Sequence, residues 1–112
     1  MTTAFTSNHL EEPQMAKLSP EQISEKLKGL AGWELKGDAI TKRYKFKEFM
    51  DGIRFINRIA EFAEKMDHHP DITINYTRIT FSCSTHDQGG ITEKDFKLAE
   101  EIEKAFKASG QG

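Results

Sequence analysis

Residues 68–86 read HHPDITINYTRITFSCSTH. Ile72, Ile74 and Tyr76 alternate with Thr73, Asn75 and Thr77, and Ile79, Phe81 and Cys83 alternate with Thr80, Ser82 and Ser84. A period of two among β-branched and aromatic residues marks a strand with one covered face. Two such runs joined by a tight turn near Thr77-Arg78 predict a β-hairpin. Antiparallel pairing then sets the start of the first strand beside the end of the second. His68 and His69 become spatial neighbours of His86 despite their separation in the chain.

Upstream of the hairpin, a helix is predicted from about Phe49 to Met66. Phe49, Ile53, Ile56, Ala60 and Ala63 form one apolar stripe on its wheel, and Phe55, Ile59, Phe62 and Met66 form a second beside it. Asp51, Arg54, Arg58, Glu61 and Lys65 fill the polar arc. One stripe suffices to cover a sheet. The second either meets another helix of the same chain or forms a self-association surface. Before this helix, Trp33 and Leu35, a Gly37-Asp38 turn, and Ile40, Lys42, Tyr44 and Phe46 describe another hairpin. A first helix at about 20–30 is announced by Ser19-Pro20-Glu21-Gln22, with Leu18 and Ile23 as a hydrophobic staple and Gly32 as its stop. After the loop Asp87-Gln88-Gly89-Gly90, Thr92 caps a last helix with Asp95 three residues on and Ile91 facing Phe96. Phe96, Ala99, Ile102 and Phe106 carry its buried face. The order is α-β-β-α-β-β-α, an α+β fold whose simplest packing sets a four-stranded antiparallel sheet under three helices on one face.

The chain has 112 residues, enough for one domain, which we place at 18–108 behind a flexible N-terminal tail at 1–17. Sixteen Lys and Arg against eighteen Asp and Glu give a net charge of −2. That leaves no basic excess to neutralise phosphates and argues against direct nucleic-acid binding. A lone cysteine, Cys83, excludes a disulfide framework within the chain and any zinc site built of cysteines alone. No apolar run approaches the roughly 20 residues of a membrane span, and the start MTTAFTSNHLEEPQ lacks the pattern of a secretory signal. A reduced, cytoplasmic setting is the expectation.

The gathered histidines are the candidate chemistry. Imidazoles titrate near neutrality, so one can give a proton while another takes one, without a cofactor. A single histidine at a helix end reads equally well as a C-terminal cap. Glu64 and His68, four apart on the helix, could join His86 in a three-ligand metal set, though no HExxH pattern exists. Cys83 falls in the buried phase, and Ser82 and Ser84 lack the glycine-rich elbow of a nucleophile. Gly89-Gly90 is too short to cradle a phosphate. Asp95 reads as the third residue of a capping box, and Trp33 as a core residue or a stacking surface for a flat ligand.

Glu64, three residues, His68-His69-Pro70, five residues, Tyr76, nine residues, His86, eight residues and Asp95 resemble the signature of the pterin-4a-carbinolamine dehydratases, also called 4a-hydroxytetrahydrobiopterin dehydratases. Seven positions fit over 32 residues, with Thr85 before the third histidine and a tryptophan opening the first strand. The resemblance spans about 17–108. It implies the sheet-and-three-helix fold and loss of water from a 4a-hydroxytetrahydropterin, within tetrahydrobiopterin recycling. Also implied are His68, His69 and His86 as catalytic groups, with Glu64, Asp67, Trp33, Thr85 and Asp95 binding or orienting. No metal or organic cofactor is implied, and the expected partner is the reduced pterin. A homodimer or homotetramer, formed through a sheet edge and the central helix, would give Phe55, Ile59 and Phe62 a partner. Animal members of this family also stabilise dimers of a transcription factor, which makes a protein-interaction module the alternative reading.

Overall fold

The Ser19 hydroxyl accepts from the Gln22 N–H at 3.2 Å and the Gln22 side chain accepts from the Ser19 N–H at 2.8 Å, so helix α1 (Pro20–Leu27) starts on the predicted capping box. The computed structural model describes residues 16–111, and the expected tail lies outside the described residues up to position 15. Helix α1 ends three residues short of the predicted limit of 30. Lys28, Gly29 and Leu30 each donate to the carbonyl three residues back, which tightens the last turn to a 3₁₀ pitch while keeping Leu30 buried.

Strands β1 (Glu34–Lys36) and β2 (Ala39–Lys45) are joined by Gly37-Asp38, with Lys36 opposite Ala39. Gly37 sits at φ 60°, a backbone position that suits glycine. Helix α2 (Phe49–Met66) crosses to the second hairpin, strands β3 (Asp71–Asn75) and β4 (Arg78–Cys83). A 3₁₀ turn (His86–Gln88) and helix α3 (Glu93–Ala108) complete the α-β-β-α-β-β-α order. The sheet runs β1-β2-β4-β3, antiparallel throughout, with β1 and β3 at its edges. The second turn falls one residue before its predicted place. Asn75 pairs with Arg78, and Tyr76 takes φ 56°. Thr77 is drawn inward because its carbonyl accepts the Phe46 N–H at 2.8 Å, and Tyr76 turns out to stack on Phe49.

The covered face of the sheet presents Ile40, Tyr44, Ile79, Phe81 and Cys83, all buried, to α2 and α3. Here the reading of α2 is corrected. Phe55 is 4% exposed and Ile59 0%, so both belong to the core of this chain and are not a surface for a second copy. Phe62 and Met66 pack, partly buried, against the same core. The cause is aromatic. Phe55 meets Phe46, Phe81, Phe106 and Tyr44 at ring separations of 5.2–6.1 Å, and that cluster fixes the helix rotation. The other stripe is the more outward one, with Phe49 and Ala60 exposed and Ile53 and Ile56 half-buried, although Ala63 at its far end is buried.

Candidate active site

Helix α2 ends in a left-handed residue, Asp67, at φ 53° and ψ 44°. That reversal lets the His68 N–H donate back to the Ala63 carbonyl at 3.0 Å and sends the chain toward β3. Strand β4 meanwhile delivers Thr85, whose N–H donates to the Gly90 carbonyl at 2.8 Å and closes the loop carrying His86. Helix α3 then begins at Thr92, where the predicted capping box forms: the Asp95 Oδ2 accepts the Thr92 N–H at 2.9 Å.

These three chain ends meet on one carboxylate. His68 Nε2 lies 2.5 Å from Asp95 Oδ1, and the Thr85 hydroxyl donates to Asp95 Oδ2 at 2.7 Å. Thr85 Oγ1 is 2.9 Å from Thr92 Oγ1 and 3.5 Å from His68 Nε2. Asp95 and Thr92 are fully buried, Thr85 is 7% exposed, and the His68 side chain is 11% exposed. A buried carboxylate satisfied by three donors is a fixed acceptor, so its histidine is held in orientation and tautomer. Asp95 is thus both the expected helix cap and a direct partner of His68. The sequence showed the cap through the Thr-x-x-Asp spacing. It gave no sign that Thr92 also touches Thr85.

The other site residues are distributed differently. His69 Nε2 lies 2.6 Å from Glu64 Oε2, and both side chains are more than half exposed. His86 is exposed at the start of its 3₁₀ turn, one residue from Thr85. Asp67 is exposed, and its left-handed backbone makes the turn that leads into His68. The hairpin therefore brings the three histidine segments together, but only His68 is engaged with the buried network. The alternative metal set of Glu64, His68 and His86 is not assembled, because Glu64 turns to His69 and His68 to Asp95. Among the described residues, no three His, Cys, Asp or Glu side chains converge as a metal ligand set would. Burial pushes the Cys83 thiol up, with the Asp95 and Asp71 carboxylates adding to the effect, so this residue is a core group.

Trp33 is buried, and its bonds point elsewhere. Its indole N–H donates to Glu103 Oε1 at 3.2 Å, and its ring meets Tyr44 edge-on. Glu103 also accepts from Lys42 at 3.0 Å and from the Tyr44 hydroxyl at 2.5 Å. Burial would raise the Glu103 pKa, but bonds from Tyr44, Lys42 and Trp33 outweigh it and hold the carboxyl below its ordinary value. Trp33 thus bolts α3 to the sheet. None of its hydrogen bonds or ring contacts among the described residues reaches the histidines.

The family profile described as Pterin 4 alpha carbinolamine dehydratase matches residues 16–105. A relative from Mycobacteroides abscessus, provisionally named a pterin-4-alpha-carbinolamine dehydratase, is 51% identical over 89 residues, covering 80% of this chain and 95% of its own. Another of the same provisional name, from Sulfolobus acidocaldarius, is 41% identical over 88 residues, covering 79% and 97%. The crystal structure of a transcriptional coactivator/pterin dehydratase from Brucella melitensis is similar with a TM-score of 0.76 at 36% identity, covering 80% of this chain and 97% of that one. A pterin dehydratase-like protein described as a RuBisCO assembly factor in the alpha-carboxysome shares the fold, at a TM-score of 0.54 and 18% identity over 71% of this chain and 89% of that one.

Proposed function

The chain belongs to the pterin-4-alpha-carbinolamine dehydratase family, and from that premise we propose that it removes water from a 4a-hydroxytetrahydropterin to give the quinonoid dihydropterin. In this step the bond from C4a to its hydroxyl oxygen breaks, the oxygen takes a proton, and water leaves. The adjacent ring nitrogen loses its proton to a second group, and its N–H electron pair becomes the new C=N bond. The reaction needs one acid and one base near neutrality and no redox partner, and histidines meet that need. His68, His69 and His86 are the proposed catalytic groups. Thr85 and Asp95 orient His68, and Glu64 orients His69.

The observation that carries this reading is the His68–Asp95 pair, set in a buried network at the open end of the second hairpin. A carboxylate behind an imidazole fixes its tautomer and stabilises the charged ring, the logic that hydrolase triads use. A role in tetrahydrobiopterin recycling, in the cytoplasm, follows as part of the same proposal. Self-association through a sheet edge is carried with it, and Phe55 and Ile59 play no part in that contact.

The test is a dehydration assay of the purified chain on synthetic 4a-hydroxytetrahydropterin, run with and without a chelator. Equal acceleration over the spontaneous reaction in both is the expected result, and no acceleration in either overturns the proposal. A second reading, a protein-interaction module, draws on the Brucella relative, which is named a transcriptional coactivator as well as a pterin dehydratase. It is favoured if the pterin is untouched while a partner protein is bound.

A further inference from the structure

The hydrogen bonds behind His68 have a direction that can be worked out atom by atom. The Lys94 N–H donates to Thr92 Oγ1 at 3.3 Å, so that oxygen is already an acceptor. The Thr85 hydroxyl spends its only proton on Asp95 Oδ2 at 2.7 Å. Between Thr85 Oγ1 and Thr92 Oγ1, 2.9 Å apart, the proton must therefore come from Thr92. Asp95 Oδ2 also takes the Thr92 backbone N–H at 2.9 Å. Every donor in the chain points the same way, from the first turn of α3 toward the carboxylate, and such aligned chains reinforce one another.

Asp95 Oδ1 is left to face His68 Nε2 at 2.5 Å. An acceptor this close requires a proton on Nε2, because two lone pairs would repel. Nδ1 makes no hydrogen bond to any described residue. The neutral ring therefore has its lone pair on Nδ1, free for a ligand's proton. Of the neighbouring histidines, His69 is paired with the exposed Glu64 and His86 is exposed one residue beyond Thr85, so neither shares the buried network that fixes His68.

We infer that Thr92 is a positioning residue: through Thr85 and Asp95 its hydroxyl holds His68 with the proton on Nε2, which makes Nδ1 the atom that accepts the proton from the pterin ring nitrogen. This assignment rests on the dehydratase reading for its chemistry, whereas its structural part stands independently. Thr92 touches neither histidine nor substrate. Its effect on turnover is therefore smaller than that of an imidazole and falls on kcat rather than KM.

The test is ¹⁵N NMR of histidine-labelled protein, read together with steady-state kinetics of Thr92→Val and Thr92→Ser. The wild-type His68 ring is expected as the Nε2–H tautomer. Thr92→Val should mix the two tautomers and lower kcat about 10-fold at unchanged KM, well short of the loss of a general acid–base group, and Thr92→Ser should restore both. A wild-type His68 protonated on Nδ1 overturns the inference, as does a folded Thr92→Val variant with the wild-type tautomer and kcat. Should Thr92→Val fail to fold, the wild-type spectrum and Thr85→Val, with the same expectations, carry the test. If the wild type holds the Nε2–H tautomer and Thr92→Val mixes it, but neither turns over pterin, the reaction assignment falls and the positioning role stands.

Discussion

Asp95 serves a helix and a histidine with one carboxylate. Its Oδ2 completes the α3 capping box and its Oδ1 faces His68, so the start of the helix and the orientation of the ring are a single arrangement. Asp95→Asn separates the two roles. The amide oxygen can still accept from the Thr92 N–H, which preserves the cap, but the amide nitrogen then presents a donor to His68 Nε2 and favours the opposite tautomer. The expected outcome is a dehydration rate lowered about 10²–10⁴-fold, as for wrong-tautomer variants of catalytic triads, with thermal stability reduced only modestly. A wild-type rate in the folded variant would deny Asp95 any part in the chemistry. The cap was legible because Thr92 and Asp95 lie three apart in sequence. The contact with His68 was not, since it depends on the left-handed backbone of Asp67 and on where the sheet sets α3. The same limit applied to Trp33, whose type suits both a core and a ligand surface and whose partner Glu103 lies 70 residues away.

At the scale of elements, periodicity told helix from strand and fixed their order, because a period of two or 3.6 is set by backbone geometry alone. It could not say how α2 is rotated. A wheel gives angles between stripes, and only the aromatic cluster around Phe55 decides which stripe faces the sheet. With Phe55 and Ile59 taken into the core, four of the five large exposed apolar side chains among the described residues, Phe49, Met50, Ile74 and Tyr76, lie on α2's first turn, the edge strand β3 and the turn after it, while Leu35 lies on the opposite edge strand β1. An unprotected edge strand is where a second copy can add its own. Light scattering of Ile74→Lys against the wild type tests the sheet-edge contact. A wild-type oligomer that becomes monomeric is expected, and a mass that the substitution leaves unchanged contradicts it.

At the scale of the molecule, α3 joins the histidine end to the core. Its first turn holds Asp95, and two turns on Glu103 gathers Trp33, Lys42 and Tyr44 from the β1–β2 half of the sheet. Burial and the Glu103 carboxylate drive the Tyr44 hydroxyl well above its ordinary range, so it stays a donor to Glu103 at neutral pH. Because the Glu103 pKa is lower in the folded chain than in the unfolded one, its contribution to stability is complete above the ordinary glutamate value and lost as pH falls through the lowered one. The thermal-stability advantage of the wild type over Glu103→Gln should therefore be constant near neutrality and shrink below about pH 4. A difference that persists undiminished to lower pH would show that the carboxylate is not what the cluster depends on.

An imidazole held by a buried carboxylate and acting on a pterin is the centre of the proposed chemistry. Its most direct test is the single-turnover rate of 4a-hydroxytetrahydropterin dehydration by wild type and by folded His68→Ala protein at neutral pH. A fall of about 10²–10⁴-fold is predicted, the scale of a lost general acid–base group. Equal rates from the two proteins would contradict it.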